Sequence, residues 1–420
     1  MGYTNDDIYH IKVIVYHWFL ESVSERKIWG GEVMETIING TMIRWARERA
    51  RLSPEELAEK CKTNLETVHK WESGERAITV TNAKHLAKLA LIPYGLLFAD
   101  NPPEEKIPIA DYRTQGSAGI RKPSPELLET IDDARLKQGW YREYLISEEF
   151  SPHDYIGKFD TDADPECVAQ EIKHVLGVDD TEYYGCKDWE QAFSYLINHA
   201  EDAGITVIVN STLKNNTHRP LDVEEFRGFV LSDSYAPLVF INGKDAKAAR
   251  MFTLIHEIAH LFIGESGVCD DTIAGNGSIP QERWCNQVAA EFLTPKDRFL
   301  QLWKEGESAD SNLDSIRLRL KVSRLVAIFC AYQLNLISYG EKQELVSSEM
   351  TRIAAMKKKQ RDTEGGPDHY VIKRFKTGRN LALAVISEVK ANRMLYRDAF
   401  HLLGVKNIEG LNTFAGTLGY

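Results

Sequence analysis

Phe252-Thr253-Leu254-Ile255-His256-Glu257-Ile258-Ala259-His260-Leu261-Phe262 is an apolar stretch broken at its centre by two histidines and a glutamate. Four-residue spacing puts the imidazoles on one face of a helix, one turn apart, where they can share a tetrahedral zinc ion (Zn2+). Glu257 lies beside that face and is the expected general base. Two imidazoles and a carboxylate in an apolar helix are costly to bury unless something satisfies them, and a metal ion would.

The pattern changes on either side of this helix. Upstream, Ile205 to Val209, Gly228 to Leu231 and Pro237 to Ile241 are short apolar or β-branched runs bounded by turn residues, and read as strands. The Pro237–Ile241 run could offer an edge to an extended peptide. The histidine helix is expected from about Asp245 to Phe262. Downstream, a glycine-rich loop from Gly264 to Ile279 precedes a helix from Gln281 to Phe292. A catalytic zinc needs a third protein ligand and an open fourth position. Glu282 is the choice, because it opens the next helix and Asn286, one turn on, could orient its carboxylate; Glu291 and Glu265 are the alternatives.

Residues 41 to 100 read as five short helices. Ser53-Pro54-Glu55-Glu56 supplies an N-cap, a first-turn proline and acidic residues for the second, and Ser73-Gly74 ends the third. Two short helices about the turn at Thr63-Asn64 form a helix-turn-helix pattern. In a DNA-binding reading Asn64, Glu66, Thr67 and Lys70 face the major groove, and Arg44, Arg47 and Arg76 touch phosphate. A helical module for dimerisation or substrate recognition is the other reading, since a fold alone does not fix function.

The remaining chain divides by composition. Residues 1 to about 38 carry Ile8, Ile11, Val15, Trp18 and Phe19 at helical spacing with a break at Gly30-Gly31. Asn101-Pro102-Pro103 begins a linker, Ser124-Pro125-Glu126 opens a helix, and Ser315 to Asn335 reads as one helix. Beyond the basic Lys357-Lys358-Lys359-Gln360-Arg361, Leu381 to Met394 and Tyr396 to Leu403 read as two further helices. The expected boundaries are 1–40 (helical extension), 41–100 (helix-turn-helix), 101–150 (connector), 151–345 (peptidase) and 346–420 (basic helical subdomain).

Net charge is −11 over 420 residues, which argues against indiscriminate coating of nucleic acid. Residues 41 to 100 nevertheless hold 10 Lys/Arg against 8 Asp/Glu, and 350 to 420 hold 13 against 6, so DNA contact is expected from those segments. The six cysteines form no CxxC pair and are read as reduced, buried filler and not as metal ligands. No signal peptide or membrane span is recognisable, so a cytoplasmic protein without membrane contact is expected.

The segment from Phe252 to His260, Glu282 to Pro295 (ERWCNQVAAEFLTP), and Pro108 to Thr114 with Gln138-Gly139-Trp140 together resemble the ImmA/IrrE family of zinc peptidases, in the form preceded by an XRE-type helix-turn-helix. The resemblance covers most of the chain beyond residue 40. It implies His256, His260 and Glu282 as zinc ligands and Glu257 as catalytic base. The sequence departs from the family at Trp284-Cys285, where Glu-Ala is usual.

The fold class expected is α+β and mostly helical: a five-helix bundle, a zincin-like domain with a small sheet, and a helical C-terminal subdomain. The resemblance implies a DNA-associated zinc endopeptidase that cleaves a specific repressor or partner protein in a stress, prophage or toxin-antitoxin setting. The competing class is an antitoxin or transcriptional repressor that binds DNA and a partner toxin through the peptidase-like fold without catalysis. Expected partners are a protein or peptide substrate and double-stranded DNA, with a homodimer left open.

Overall fold

The computed structural model describes residues 35–36, 38–103, 107–111, 123–269, 279–360 and 376–419. The expected helix before residue 35 and the basic run beyond Gln360 lie outside them. The chain separates into two compact units, Met1–Glu104 and Glu105–Tyr420.

The first unit contains β1 (Glu35–Thr36), α1 (Gly40–Arg49), α2 (Pro54–Lys60), α3 (Leu65–Ser73), β2 (Ile78–Thr79), α4 (Val80–Ala90) and a 3-10 turn at Tyr94–Phe98. The capping signals work as their chemistry demands. Ser53 Oγ accepts from Glu56 N while Glu56 Oε2 accepts from Ser53 N, and α3 stops at Gly74, whose φ of +79° suits a residue without a β-carbon. Met42, Ile43, Leu57, Val68, Trp71, Leu86 and Leu97 meet in one core. One correction applies to the end of the extension: Glu35 and Thr36 are strand, paired antiparallel with β2.

The second unit begins with β3 (Ala110–Asp111), α5 (Pro125–Ser147), α6 (Pro165–Leu176), α7 (Asp180–Gly185) and α8 (Trp189–Asp202). Then come β4 (Thr206–Asn210), β5 (Gly228–Leu231), β6 (Leu238–Asn242), α9 (Lys247–Phe262), β7 (Gly267–Cys269) and α10 (Pro280–Leu293). It closes with α11 (Lys296–Leu302), α12 (Ala309–Leu320), α13 (Arg324–Gln333), α14 (Tyr339–Gln360), α15 (Arg379–Lys390), α16 (Tyr396–Leu403) and α17 (Ile408–Thr417).

The sheet order is β3-β7-β5-β6-β4, mixed in direction. Its strands alternate between two cores. Val207, Val230, Val239 and Ile241 point towards α8, α9 and α10, whereas Ile208, Phe229, Leu231, Leu238 and Phe240 point towards Leu127, Ile131 and Ala134 of α5. With both faces covered, the strands read as nearly continuous apolar runs. Phe229 and Phe240 are register partners with rings stacked at 4.8 Å.

Three expectations are corrected here. Strand β6 pairs with β4 on one side and β5 on the other, so the Pro237–Ile241 run has no free edge for a peptide. The stretch expected as one helix from Ser315 to Asn335 is two, because Lys321 takes a left-handed φ of +59° and Ser323 caps a new helix, its Oγ accepting from Val326 N. The boundary expected at 345/346 falls inside α14. The three last helices bury Leu381, Val385, Leu402, Leu411 and Phe414 against Tyr141 and Leu145 of α5.

Candidate metal centre

Every residue of α9 from Met251 to Phe262 is buried, which requires a helix that is apolar all round and explains the hydrophobic setting of the polar trio. Helix α10 packs alongside, so Glu282 in its first turn meets the imidazoles one layer away. Nε2 of His256 and Nε2 of His260 stand 3.3 Å apart. Glu282 reaches each at 3.1 Å, His256 through Oε2 and His260 through Oε1. Ligands held about 2.1 Å from a tetrahedral ion stand about 3.4 Å from one another, so these donors fit the edges of one coordination shell.

Asn286 is where the spacing put it but serves a different neighbour. Its Oδ1 lies 3.1 Å from His256 Nδ1, not at the Glu282 carboxylate. An amide oxygen accepts only, so it holds the His256 proton on Nδ1 and leaves the lone pair of Nε2 facing the other donors. Glu291 is absent from the cluster; its Oε1 accepts from Lys296 N at 3.1 Å. Glu265 is likewise outside the group of converging donor atoms.

Glu257 is fully buried, and its Oε1 has no hydrogen-bond partner among the described residues. Burial, helped by the Glu282 charge, pushes its carboxyl up to about 8 in the metal-free chain. Burial works the same way on Glu282, but the two imidazoles outweigh it and hold that carboxyl far below the usual range. Burial lowers His260, the direction that favours the neutral imidazole a metal needs. The donor set suits a divalent ion, and an orphaned buried carboxylate oxygen beside it has an acceptor's role still to fill.

Sequence reasoning missed one member of the centre. Cys269, the last residue of β7, brings Sγ to 3.3 Å from Glu282 Oε1, 3.7 Å from His260 Nε2 and 3.8 Å from Glu257 Oε2. With His256, His260 and Glu282 it makes a buried group of four donors whose ligand atoms all lie within 4.8 Å of one another. Cys269 is buried and free, as read, but its place among these donors makes it a candidate ligand that the reading as filler left out. Cys167 departs from that reading, being exposed. Trp284 has a structural explanation: its Nε1 donates to Ala163 O at 2.8 Å and ties α10 to the segment before α6.

The helix-turn-helix residues separate by exposure. Asn64, Glu66 and Arg76 are exposed, and Lys70 pairs with Glu66 at 2.7 Å on the surface of α3. Asn64 caps α3 by accepting from Thr67 N, and Thr67 is buried. Arg47 is buried as well, its Nε donating to Glu72 Oε1 at 2.5 Å and its Nη1 to Leu52 O. Arg47 is therefore an internal tie and does not reach outward to phosphate. Arg44 is largely exposed, with Nε 3.4 Å from Glu72 Oε2.

A buried donor set that could hold a metal ion, on adjacent helices over a small mixed sheet and joined in one chain to a helix-turn-helix bundle, defines a two-part protein. Residues 200–329 match an IrrE N-terminal-like domain of the peptidase M78 type, and residues 43–90 match a helix-turn-helix domain. The chain thus carries a helix-turn-helix domain followed by an ImmA/IrrE-type peptidase domain. Residues 377–417, which hold α15 to α17, match a domain of unknown function, DUF8813. No curated protein and no solved structure matches the chain. No described helix is long and apolar enough to cross a membrane.

Proposed function

We propose that this protein is a zinc-dependent endopeptidase of narrow specificity that acts on a regulatory protein while associated with double-stranded DNA. The observation that carries the reading is the convergence of His256, His260 and Glu282 with the buried Glu257 carboxylate beside them. His256, His260 and Glu282 would hold the ion, and Asn286 orients His256. When bound, zinc supplies Lewis acidity and makes water a nucleophile near neutral pH. Glu257, buried beside the donors, is placed to take a proton from the attacking water and to pass it to the leaving amine. The helix-turn-helix supports a DNA-associated role through Asn64, Lys70, Arg44 and Arg76, and the expected stress, prophage or toxin-antitoxin setting belongs to this same reading.

Labelling of new protein N-termini after incubation with a proteome from the source cell tests it. Zinc-loaded protein is expected to generate a short set of termini that vanish with Glu257→Gln, while zinc content stays at one per chain. Equal sets from both proteins would contradict the reading.

A second reading has its own support in Cys269, which adds a fourth donor to the group, Sγ 3.3 Å from Glu282 Oε1, where a catalytic metal uses three. In that reading the domain is an antitoxin-like or repressor scaffold that holds a partner without cleaving it. A partner that co-purifies equally with the wild type and Glu257→Gln, and is never clipped, would favour it.

A further inference from the structure

Three donors suffice for a catalytic metal and the fourth corner must stay open, yet this centre presents four protein donors. Thiolate sulfur sits about 2.3 Å from zinc, so its distance to a neighbouring nitrogen or oxygen ligand in a tetrahedron is about 3.6 Å. Cys269 Sγ meets that spacing at 3.7 Å from His260 Nε2 and 3.3 Å from Glu282 Oε1. Backbone geometry fixes it there. Cys269 is the register partner of Gly228, and Arg227 N donates to Cys269 O at 3.0 Å, which locks the end of β7 to β5 above α9. A second feature points to a ligand here: Glu257 Oε1, fully buried beside Gly228 and next to the four donors, has no hydrogen-bond partner among the described residues.

We propose that Cys269 is a fourth metal ligand whose thiolate occupies the open corner of the centre, so that the peptidase is held to a low basal rate until the end of β7 withdraws the sulfur. This rests on the metal-peptidase reading above and adds its regulation. On metal binding the Sγ–H bond breaks, the sulfur electron pair is donated to the ion and the proton leaves to solvent. Withdrawal of the sulfur frees the corner that water needs, next to Glu257. The device is local: the blocking ligand is the last residue of a three-residue strand, and its withdrawal breaks the Arg227 N to Cys269 O hydrogen bond that holds that end to β5.

X-ray absorption at the zinc edge of the full-length wild-type protein is the first test, since it needs no variant. One sulfur at about 2.3 Å with the remainder nitrogen and oxygen is expected. Cobalt substitution is the second: the wild type shows a thiolate-to-cobalt charge-transfer band and intense tetrahedral bands, and Cys269→Ser and Cys269→Ala lose the charge-transfer band while still taking up one ion. Affinity in these variants falls by a factor on the order of ten to a hundred, at least what loss of an outer partner costs. Cleavage by Cys269→Ala of termini assigned to Glu257 rises about ten-fold or more, as expected when an occupied corner opens to water. Zinc bound with nitrogen and oxygen ligands only would overturn the proposal and leave the peptidase reading standing. A wild-type chain that binds no metal would overturn both.

Discussion

A β-carbon placed on Gly228 would stand 2.7 Å from Glu257 Oε1 and 2.8 Å from Thr253 Cγ2, so the first residue of β5 sets how closely the histidine helix approaches the sheet. Strand and helix can touch at this depth only because Gly228 has no side chain. Its two register partners are Ile241 on β6 and Cys269 on β7, so the same position also aligns the strand that brings the thiol to the metal centre.

Gly228→Ala is therefore expected to destabilise the protein by about 1–3 kcal/mol through overpacking. It should also weaken metal binding, because α9 must shift with its histidines. Thermal unfolding and zinc titration measure the two effects. A variant with unchanged melting and unchanged zinc affinity would contradict this account of the contact.

Glu257 gives a pH signature in chelator-treated protein. Its carboxyl is held up to about 8 by burial, against 4.5 ordinarily, so between those values the folded chain keeps a proton that the unfolded chain releases. Stability from this group is full below about pH 4.5 and is lost as pH rises through about 8. The loss should be of the order of a few kcal/mol, and Glu257→Gln should remove it. Denaturant melts of both metal-free proteins at pH 6 and pH 9 check this; a wild-type slope identical to that of the variant would refute it.

In the helix-turn-helix bundle two arginines should behave oppositely. Arg47 is buried against Glu72, and Arg47→Ala is expected to cost about 3 kcal/mol by leaving that buried carboxylate with only the exposed Arg44 as a cationic partner. Arg76 is exposed, and Arg76→Ala should leave stability within about 0.5 kcal/mol while lowering the salt dependence of duplex binding by about one phosphate contact. Calorimetry and fluorescence anisotropy across a salt series separate the two. An Arg76→Ala slope equal to that of the wild type would remove Arg76 from the DNA face.

What the sequence reveals follows from how local each relationship is. His256 and His260 are legible because helical periodicity alone places them together; the position of Asn286 one turn from Glu282 is legible too, but its partner, His256 on the neighbouring helix, is not. The capping box at Ser53 and the stop at Gly74 are legible for the same reason. Cys269 is not, since only the pairing of a three-residue strand with β5 carries it into the centre, and no cysteine spacing signals that. The two-residue β3 is too short for its own pattern, and the break at Lys321 hides inside an unbroken apolar periodicity. Arg47 misled because a charge was taken as outward, while its partner Glu72 lies 25 residues away on another helix. The buried position of β6 likewise depends on strand order, which single runs of apolar residues do not encode.

The central claim is that one divalent ion sits between α9 and α10. Anomalous diffraction at the zinc absorption edge from crystals of the protein as purified tests it most directly. The expected result is a single peak about 2.0–2.2 Å from His256 Nε2, His260 Nε2 and a Glu282 oxygen. A map with no peak among these three residues, or a peak held by other side chains, would contradict it.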